Sequence, residues 1–345
     1  MQRAFRRIAP LVVVPVALSV MVRTTYAVSP ETAARWHATA DDIVGSLTNA
    51  LSGMRLFVNP TSQASRAAGD ARLSRPEDAA MLERIAQQPV ATWIGGWVSD
   101  LRGEIGRITA VAQRNRSVPV LVAYNIPNRD CGSHSAGGEK DGESYGRWIR
   151  EFAAGLDGRK AVVVLEPDAI AQTNCLTPEQ TEARFAMMRD AVSVLKSGGA
   201  TVYVDAGNPR WMKPDAIASR LKKVAMDQAD GFSLNVSNFI STSENVKYGE
   251  AISGLVGGKH FIIDTGRNGS GGNGQWCNPR GQALGALPTT ETGNRLVDGF
   301  LWIKQPGESD GACNGGPKAG AWWADYALEL ARNQKPASSR ELAAR

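Results

Sequence analysis

Seven short runs of apolar and β-branched residues, separated by stretches of helical period, constrain this chain more than any other feature. They are ATWIGG (91–96), VPVLVAYN (118–125), AVVVLE (161–166), TVYVDA (201–206), GFSLNVS (231–237), HFIIDT (260–265) and GFLWIK (299–304). Helical patterns lie between them, at 144–156, 178–199 and 213–227. Thr177-Pro178 opens the second and Gly198-Gly199 closes it, which suits helix caps. Strands that alternate with helices pair in parallel, because each crossover returns the chain to the same end of the sheet. The expectation is an α/β domain built as a closed or nearly closed β/α barrel, with a doubly wound open sheet as the alternative. No GxGxxG follows the first run, so the dinucleotide fingerprint is missing. RNGSGGNG (267–274) lacks the GK[ST] ending of a phosphate loop and reads as a flexible surface loop.

The ends of these runs carry acids. YNIPNRD ends in Asp130, VVVLEPD in Asp168, VYVDAG holds Asp205, FIIDTGRN holds Asp264, and QPGESD after the last run holds Glu308 and Asp310. In a parallel β/α barrel the loops at the carboxyl ends of the strands share one mouth, so these acids converge there. One polar strand end is an ordinary loop residue, but five of seven runs ending in carboxylates point to a shared site. Like charges brought together disfavour ionisation, so such a cluster can keep one carboxyl protonated as a general acid beside an ionised neighbour. Metal-assisted chemistry and glycoside hydrolysis both use such clusters.

The aromatic residues favour the second. Trp93, Trp97, Trp211 and Trp276 sit at or just beyond strand ends, where indole faces would form a trough for stacked sugar rings. Trp148, Trp302, Trp322 and Trp323 read as core. Asn125, Asn235, Ser237, Asn238, Arg267 and Lys304 add hydrogen-bonding groups suited to a hydroxyl-rich substrate.

Composition narrows the setting. MQRAFRRIAP carries Arg3, Arg6 and Arg7, an apolar stretch follows from Leu11 to Val22, and Thr25-Tyr26-Ala27 supplies small residues for cleavage. That order is a secretory leader over 1–27, too short in its apolar part to span a bilayer; an uncleaved anchor is the rival reading. The leader holds four arginines and no acid, so the formal charge of +5 falls to +1 without it, and the basic balance gives no ground for nucleic-acid binding. Cys131, Cys175, Cys277 and Cys313 in an exported chain suggest two disulfides, with three connectivities open. No CxxC or HxxxH spacing supports zinc. The resulting layout is leader 1–27, N-terminal extension 28–50, catalytic barrel 51–334 and polar tail 335–345.

With these residues assembled, the chain resembles glycoside hydrolase family six, inverting cellulases that act on β-1,4-glucan. The matching stretches are YNIPNRDCGSHSAGG (124–138), VVVLEPDAIA (162–171), VYVDAGNPRW (202–211), GFSLNVSNF (231–239), FIIDTGRNGSG (261–271), WCNPRGQALG (276–285) and LWIKQPGESDGAC (301–313). The resemblance implies a distorted seven-stranded parallel β/α barrel with an open active-site cleft. It implies Asp168 as general acid, Asp130 as the residue that raises the acid's pKa and relays the catalytic water, and Asp310 as the proposed base. Tyr124 matches a tyrosine that presses the sugar into a distorted ring. Asp205, Lys304 and Glu308 match sugar-binding positions, Trp211 and Trp276 resemble stacking platforms, and Trp93 and Asn238 join the substrate-binding set. The cysteine order implies Cys131–Cys175 and Cys277–Cys313.

Two departures stand out. Asn208 follows DAG where the family commonly has His, which alters the subsite there. The short segment 309–323 lacks the insertion that roofs the tunnel of cellobiohydrolases, which favours an open cleft and endo action. The expected protein is thus a secreted, monomeric endo-β-1,4-glucanase that needs no cofactor and no metal and binds β-1,4-glucan or cello-oligosaccharides, but neither nucleic acid nor, after leader cleavage, a membrane. A cellobiohydrolase-like exo enzyme, a non-catalytic β-glucan-binding protein and a metal-dependent barrel hydrolase are the alternatives.

Overall fold

The computed structural model describes residues 48–334. The expected leader, all but the last residues of the expected extension and the polar tail lie outside the described residues. Within them, the strands are β1 (Thr92–Ile94), β2 (Val120–Ala123), β3 (Val162–Leu165), β4 (Thr201–Asp205), β5 (Gly231–Leu234), β6 (His260–Asp264) and β7 (Val297–Leu301). The helices are α1 (Gln63–Ala71), α2 (Pro76–Ala86), α3 (Leu101–Arg114), α4 (Gly142–Leu156), α5 (Pro178–Ser197), α6 (Pro214–Lys222), α7 (Thr242–Leu255) and α8 (Ala324–Arg332). Each apolar run of the sequence supplies one strand. The last strand starts two residues earlier than its run, at Val297, because Val297 pairs with Phe261 of β6; the register then skips Asp298, a bulge, and resumes at Gly299 opposite Ile262.

Every neighbouring pair is parallel, in the order β1-β2-β3-β4-β5-β6-β7. That sequential order excludes a doubly wound sheet, whose strand order reverses at a switch point. The two edges meet through a single parallel bridge, Val90 to Trp302, with the Ala91 amide donating to the Trp302 carbonyl at 3.0 Å. The result is a strongly curled sheet whose edges, among the described residues, are joined by that backbone bond and by the Trp93 indole donating to the Ile303 carbonyl at 2.8 Å, where a regular barrel would have a ladder.

Side-chain parity sorts the strands into two layers. Leu121, Ala123, Val163, Leu165, Val202, Val204, Phe232, Leu234, Phe261 and Ile263 point outward, into the core shared with the helices. Val120, Val122, Val162, Val164, Tyr203, Ile262 and Leu301 point inward and fill the interior. Continuing the inward parity past the strand ends gives Tyr124, Glu166, Asp205 and Asp264. The acids at the mouth are therefore the polar continuation of the buried inner stripe.

Local sequence explains where helices start. Thr177 caps α5 by accepting from the Gln180 amide while the Gln180 side chain accepts from the Thr177 amide, with Pro178 in the first turn. Asp141 and Ser144 form the equivalent box before α4. Trp302, expected in the core, lies with Tyr326 and the α1, α2 and α8 side chains, and Trp322 and Trp323 are half-buried against the same cluster.

The floor of the interior is polar but closed. The buried Asp298 accepts from the Tyr203 hydroxyl at 2.6 Å and meets His260 Nδ1 at 2.7 Å. Removing the hydroxyl leaves a buried carboxylate oxygen short of its donor. Tyr203→Phe is therefore expected to destabilise the fold by about 1–3 kcal/mol, read as a lower urea midpoint with kcat unchanged; an unshifted midpoint contradicts this reading of the floor.

Candidate active site

The strand ends open into a cleft of about 1190 Å³. Ten of the twelve residues proposed above for catalysis or substrate binding line it: Trp93, Tyr124, Asp130, Asp168, Trp211, Asn238, Trp276, Lys304, Glu308 and Asp310. Asp205 and Asn208 do not. Asp205 is 1% exposed and lies beneath Asp168, so what it touches is the acid's own backbone. Asn208 is also 1% exposed; its side-chain oxygen accepts from the Arg210 amide at 3.0 Å, and its amide nitrogen has no partner. At this mouth a strand end can lie one layer below the surface, and sequence does not show that depth.

Asp168 is the chemically distinctive group. It is half-buried, and among the described residues no donor reaches its carboxyl. Burial, then the neighbouring Asp205, then Asp130 push its pKa well above the usual carboxylate range. Asp205 sits in the same crowd but is solvated by protein. It accepts from the Asp168 amide at 2.9 Å, the Gly207 amide at 3.1 Å and the Ser233 hydroxyl at 3.1 Å. Burial still pushes Asp205 up, to about 6, against the pull of those donors. Three donors on one carboxyl and none on the other decide where a shared proton resides: on Asp168.

The backbone that presents these acids is strained. Asp130 (φ 54), Cys131 (φ 47), Glu166 (φ 47) and Asp168 (φ 73) all adopt the left-handed region, which costs a non-glycine residue about 1–3 kcal/mol. Surrounding bonds hold the loops there. The Cys131–Cys175 disulfide ties the Asp130 loop to the segment after Asp168, and Asp130 accepts from the Ser135 amide at 2.7 Å. Arg129 donates to the carbonyls of Tyr124, Ser135 and Ala136, and its guanidinium lies 4.5 Å from the Tyr124 ring centre. Tyr124 stacks edge-on against Trp93, with centroids 5.1 Å apart. Burial and the nearby Asp168 and Asp130 hold its phenol protonated well beyond the ordinary range.

The opposite wall carries Asp310. Arg267, 1% exposed, grips it in a two-pronged ion pair of 2.9 and 3.0 Å, and the Asn278 amide adds a third bond at 3.0 Å. Arg267 and Asn268 are therefore buried, which corrects the reading of 267–274 as a loose surface loop and of Arg267 as a substrate contact; only the residues after Asn268 face solvent. Cys277–Cys313 joins this wall to the segment after Asp310. Lys304 pairs with Glu308 at 3.3 Å and lies 5.6 Å from the Trp93 ring centre. Asn125 and Asn235 turn out to be buried brackets: Asn125 links the Gly96 amide to Glu139, and Asn235 links the Asp264 carbonyl to the Ile240 amide.

Two acids of the mouth are structural. Asp264 is 2% exposed and accepts from the amides of Ser237, Gly266, Ile303 and Lys304, which clasps three loops together. Glu166, fully buried, accepts from the amides of Asn125 and Ile126 and so locks the end of β2 to the end of β3. Its inward parity after Val162 and Val164 was readable from sequence. The pairing of Arg267 with Asp310, and the place of His134 beside Trp276, 5.6 Å between ring centres, had no such signal.

A parallel half-barrel whose carboxyl-end cleft gathers several carboxyl groups, one of them pushed well above the usual carboxylate range, and flanks them with tryptophans defines a glycoside hydrolase type of site. Comparison with known proteins gives the family. The family described as "Glycosyl hydrolases family 6" matches residues 51–334, and the chain belongs to it. Endoglucanase A of Cellulomonas fimi is 45% identical over 281 residues, covering 81% of this chain and 61% of that protein. Endoglucanase 1 of Streptomyces halstedii is 41% identical over 288 residues, covering 79% of this chain and 87% of its own length. This chain thus spans less than two thirds of the first relative and most of the second. Among solved structures, the endoglucanase Cel6 from Mycobacterium tuberculosis, in complex with a methyl-cellobiosyl-thio-cellobioside, superposes with a TM-score of 0.80 at 45% identity. That match covers 83% of this chain and 99% of that one.

Glu166 gives a prediction with a defined sign. Burial raises its pKa from 4.5 to about 7, the bonds from Asn125 and Ile126 opposing the rise. The folded state then holds this proton more tightly than the unfolded chain, so the contribution is fully present below pH 4.5 and is lost as pH rises towards 7. The loss is about 3 kcal/mol at roughly 1.4 kcal/mol per unit. Glu166→Gln is expected to flatten the fall of the urea-unfolding free energy between pH 4.5 and 7; the same slope in variant and wild type contradicts it.

Proposed function

We propose that this protein is an exported endo-acting β-1,4-glucanase that hydrolyses cellulose-like glucan with inversion at the anomeric carbon. The observation that carries the reading is Asp168, kept protonated at the floor of a tryptophan-lined cleft by burial and by Asp205 and Asp130. An acid that holds its proton in this way can hand it to a departing glycosidic oxygen, and the carboxyl groups around it stabilise the positive charge that develops on the sugar ring.

The glucan lies across the mouth on Trp93, Trp211 and Trp276, with Lys304, Glu308 and Asn238 bonding its hydroxyls. Tyr124, wedged between Trp93 and Arg129, limits the room for the ring at the cleavage point. Asp168 protonates the leaving oxygen as the bond breaks. A water attacks from the opposite face, and its proton passes toward Asp130, whose carboxyl accepts one amide in the folded chain. Asp310 has both oxygens engaged by Arg267, which leaves it less free than Asp130 to take up that proton and fixes its position on the opposite wall.

Endo action is supported by the segment 309–323, which folds back on itself. The Gly320 amide donates to Ser309, the Ser309 amide to Ala321 and the Trp323 amide to Gly307, so the loop lies down beside the cleft. Export is supported by the two disulfides and by the leader-like residues 1–27; no described helix is long and apolar enough to cross a membrane.

Two measurements test the reading. Proton NMR of the first products from soluble cello-oligosaccharides is expected to show the α-anomer; initial β-anomer contradicts inversion. Asp168→Asn is expected to lower kcat on carboxymethylcellulose by about 10²–10⁴ with affinity retained, whereas a wild-type rate removes Asp168 from the acid's role.

A further inference from the structure

Six large apolar side chains are strongly exposed among the described residues: Leu73, Trp97, Trp211, Leu255, Trp276 and Leu287. The three tryptophans line the cleft and the three leucines do not. Trp211 and Trp276 already have a part in the proposed substrate trough. Trp97, the most exposed of the three at 56%, belongs by sequence to the same group of strand-end tryptophans, with no place along the sugar chain assigned to it.

Its surroundings hold it in place while leaving it open. The benzo edge of the indole rests on Gly95. A Cβ there would come within 2.4 Å of the ring, so glycine is required for the indole to fold back over the end of β1. Arg129 approaches the ring at 5.3 Å from its centroid, while three carbonyls and the Tyr124 ring fix the guanidinium itself. Four residues on, α3 begins, and its Glu104–Arg107 ion pair lines the same cleft. An exposed aromatic ring, immobilised in advance and beside charged groups able to bond hydroxyls, loses little freedom when a flat apolar sugar face settles on it.

Resting on the glucan reading above, we propose that Trp97 is an outer sugar platform of this cleft. It stacks a glucosyl unit beyond those held at Trp93 and Tyr124, so that the protein grips a longer run of β-1,4-glucan than its central residues engage. Trp97 then sets a preference for chain length and leaves the chemistry at Asp168 unchanged.

The rival account makes Trp97 a prop for Arg129, and through it for the Asp130 loop. A prop weakens every substrate alike, whereas a platform weakens only those long enough to reach it. The experiment measures cellotriose and cellohexaose affinity by calorimetry in Asp168→Asn protein, with and without Trp97→Ala. The expected result is about a tenfold loss for cellohexaose, equivalent to roughly 1.4 kcal/mol. Cellotriose affinity stays unchanged, and Trp97→Phe retains most of the cellohexaose affinity. Equal losses at both lengths, or unchanged cellohexaose affinity, overturn the proposal. If the wild-type protein cleaves no β-1,4-glucan while the length-dependent loss persists, the catalytic reading fails and the platform stands.

Discussion

Carboxyl groups gathered on the inward parity of a parallel sheet resist ionising together, and the organisation of this cleft depends on that resistance. Isolated, none of them would differ much from an exposed acid. Packed at the end of an apolar stripe, each must be neutralised, hydrogen-bonded or protonated. The structure uses all three solutions: Asp310 is paired with Arg267, Asp264 and Asp205 are wrapped in amide and hydroxyl donors, and Asp168 is left without donors and keeps its proton. The unequal distribution of donors over chemically similar groups separates acid from spectator.

The same solutions hold the barrel mouth together. Glu166 and Asp264 each take amides from a neighbouring strand end, so the charges that tune the site also close the gaps between loops. This matters because, among the described residues, the only backbone bridge that joins the two edges of the sheet is Val90 to Trp302. Strain in the Asp130 and Asp168 turns is borne by the Cys131–Cys175 link and by Arg129, which reaches three carbonyls at once.

Much of the fold was legible in the residues, because hydrophobic period reports burial directly. VVVL, TVYVD and HFIID could hardly be anything but interior strands, and the acids that follow them share a mouth once the strands are parallel. What period cannot report is depth and partner. Asp205 and Asp168 look alike as strand-end acids, yet one lies beneath the other. Arg267 in a glycine-rich stretch suggested a solvent-facing group, and its burial depends on Asp310, over forty residues away. Asn208 falls in a matching motif but points into protein. Trp97 carried no more signal than Trp93, and only the cleft around it distinguishes an open ring from a packed one.

Neighbouring negative charge holds the proton on Asp168, and the alkaline limb of kcat/KM against pH on soluble glucan reads that influence. Removing a negative neighbour lowers the acid's pKa, so the limb is expected to move to lower pH in Asp205→Asn and, by less, in Asp130→Asn, following the order of their influence on Asp168. A limb that stays in place in both variants would contradict the account.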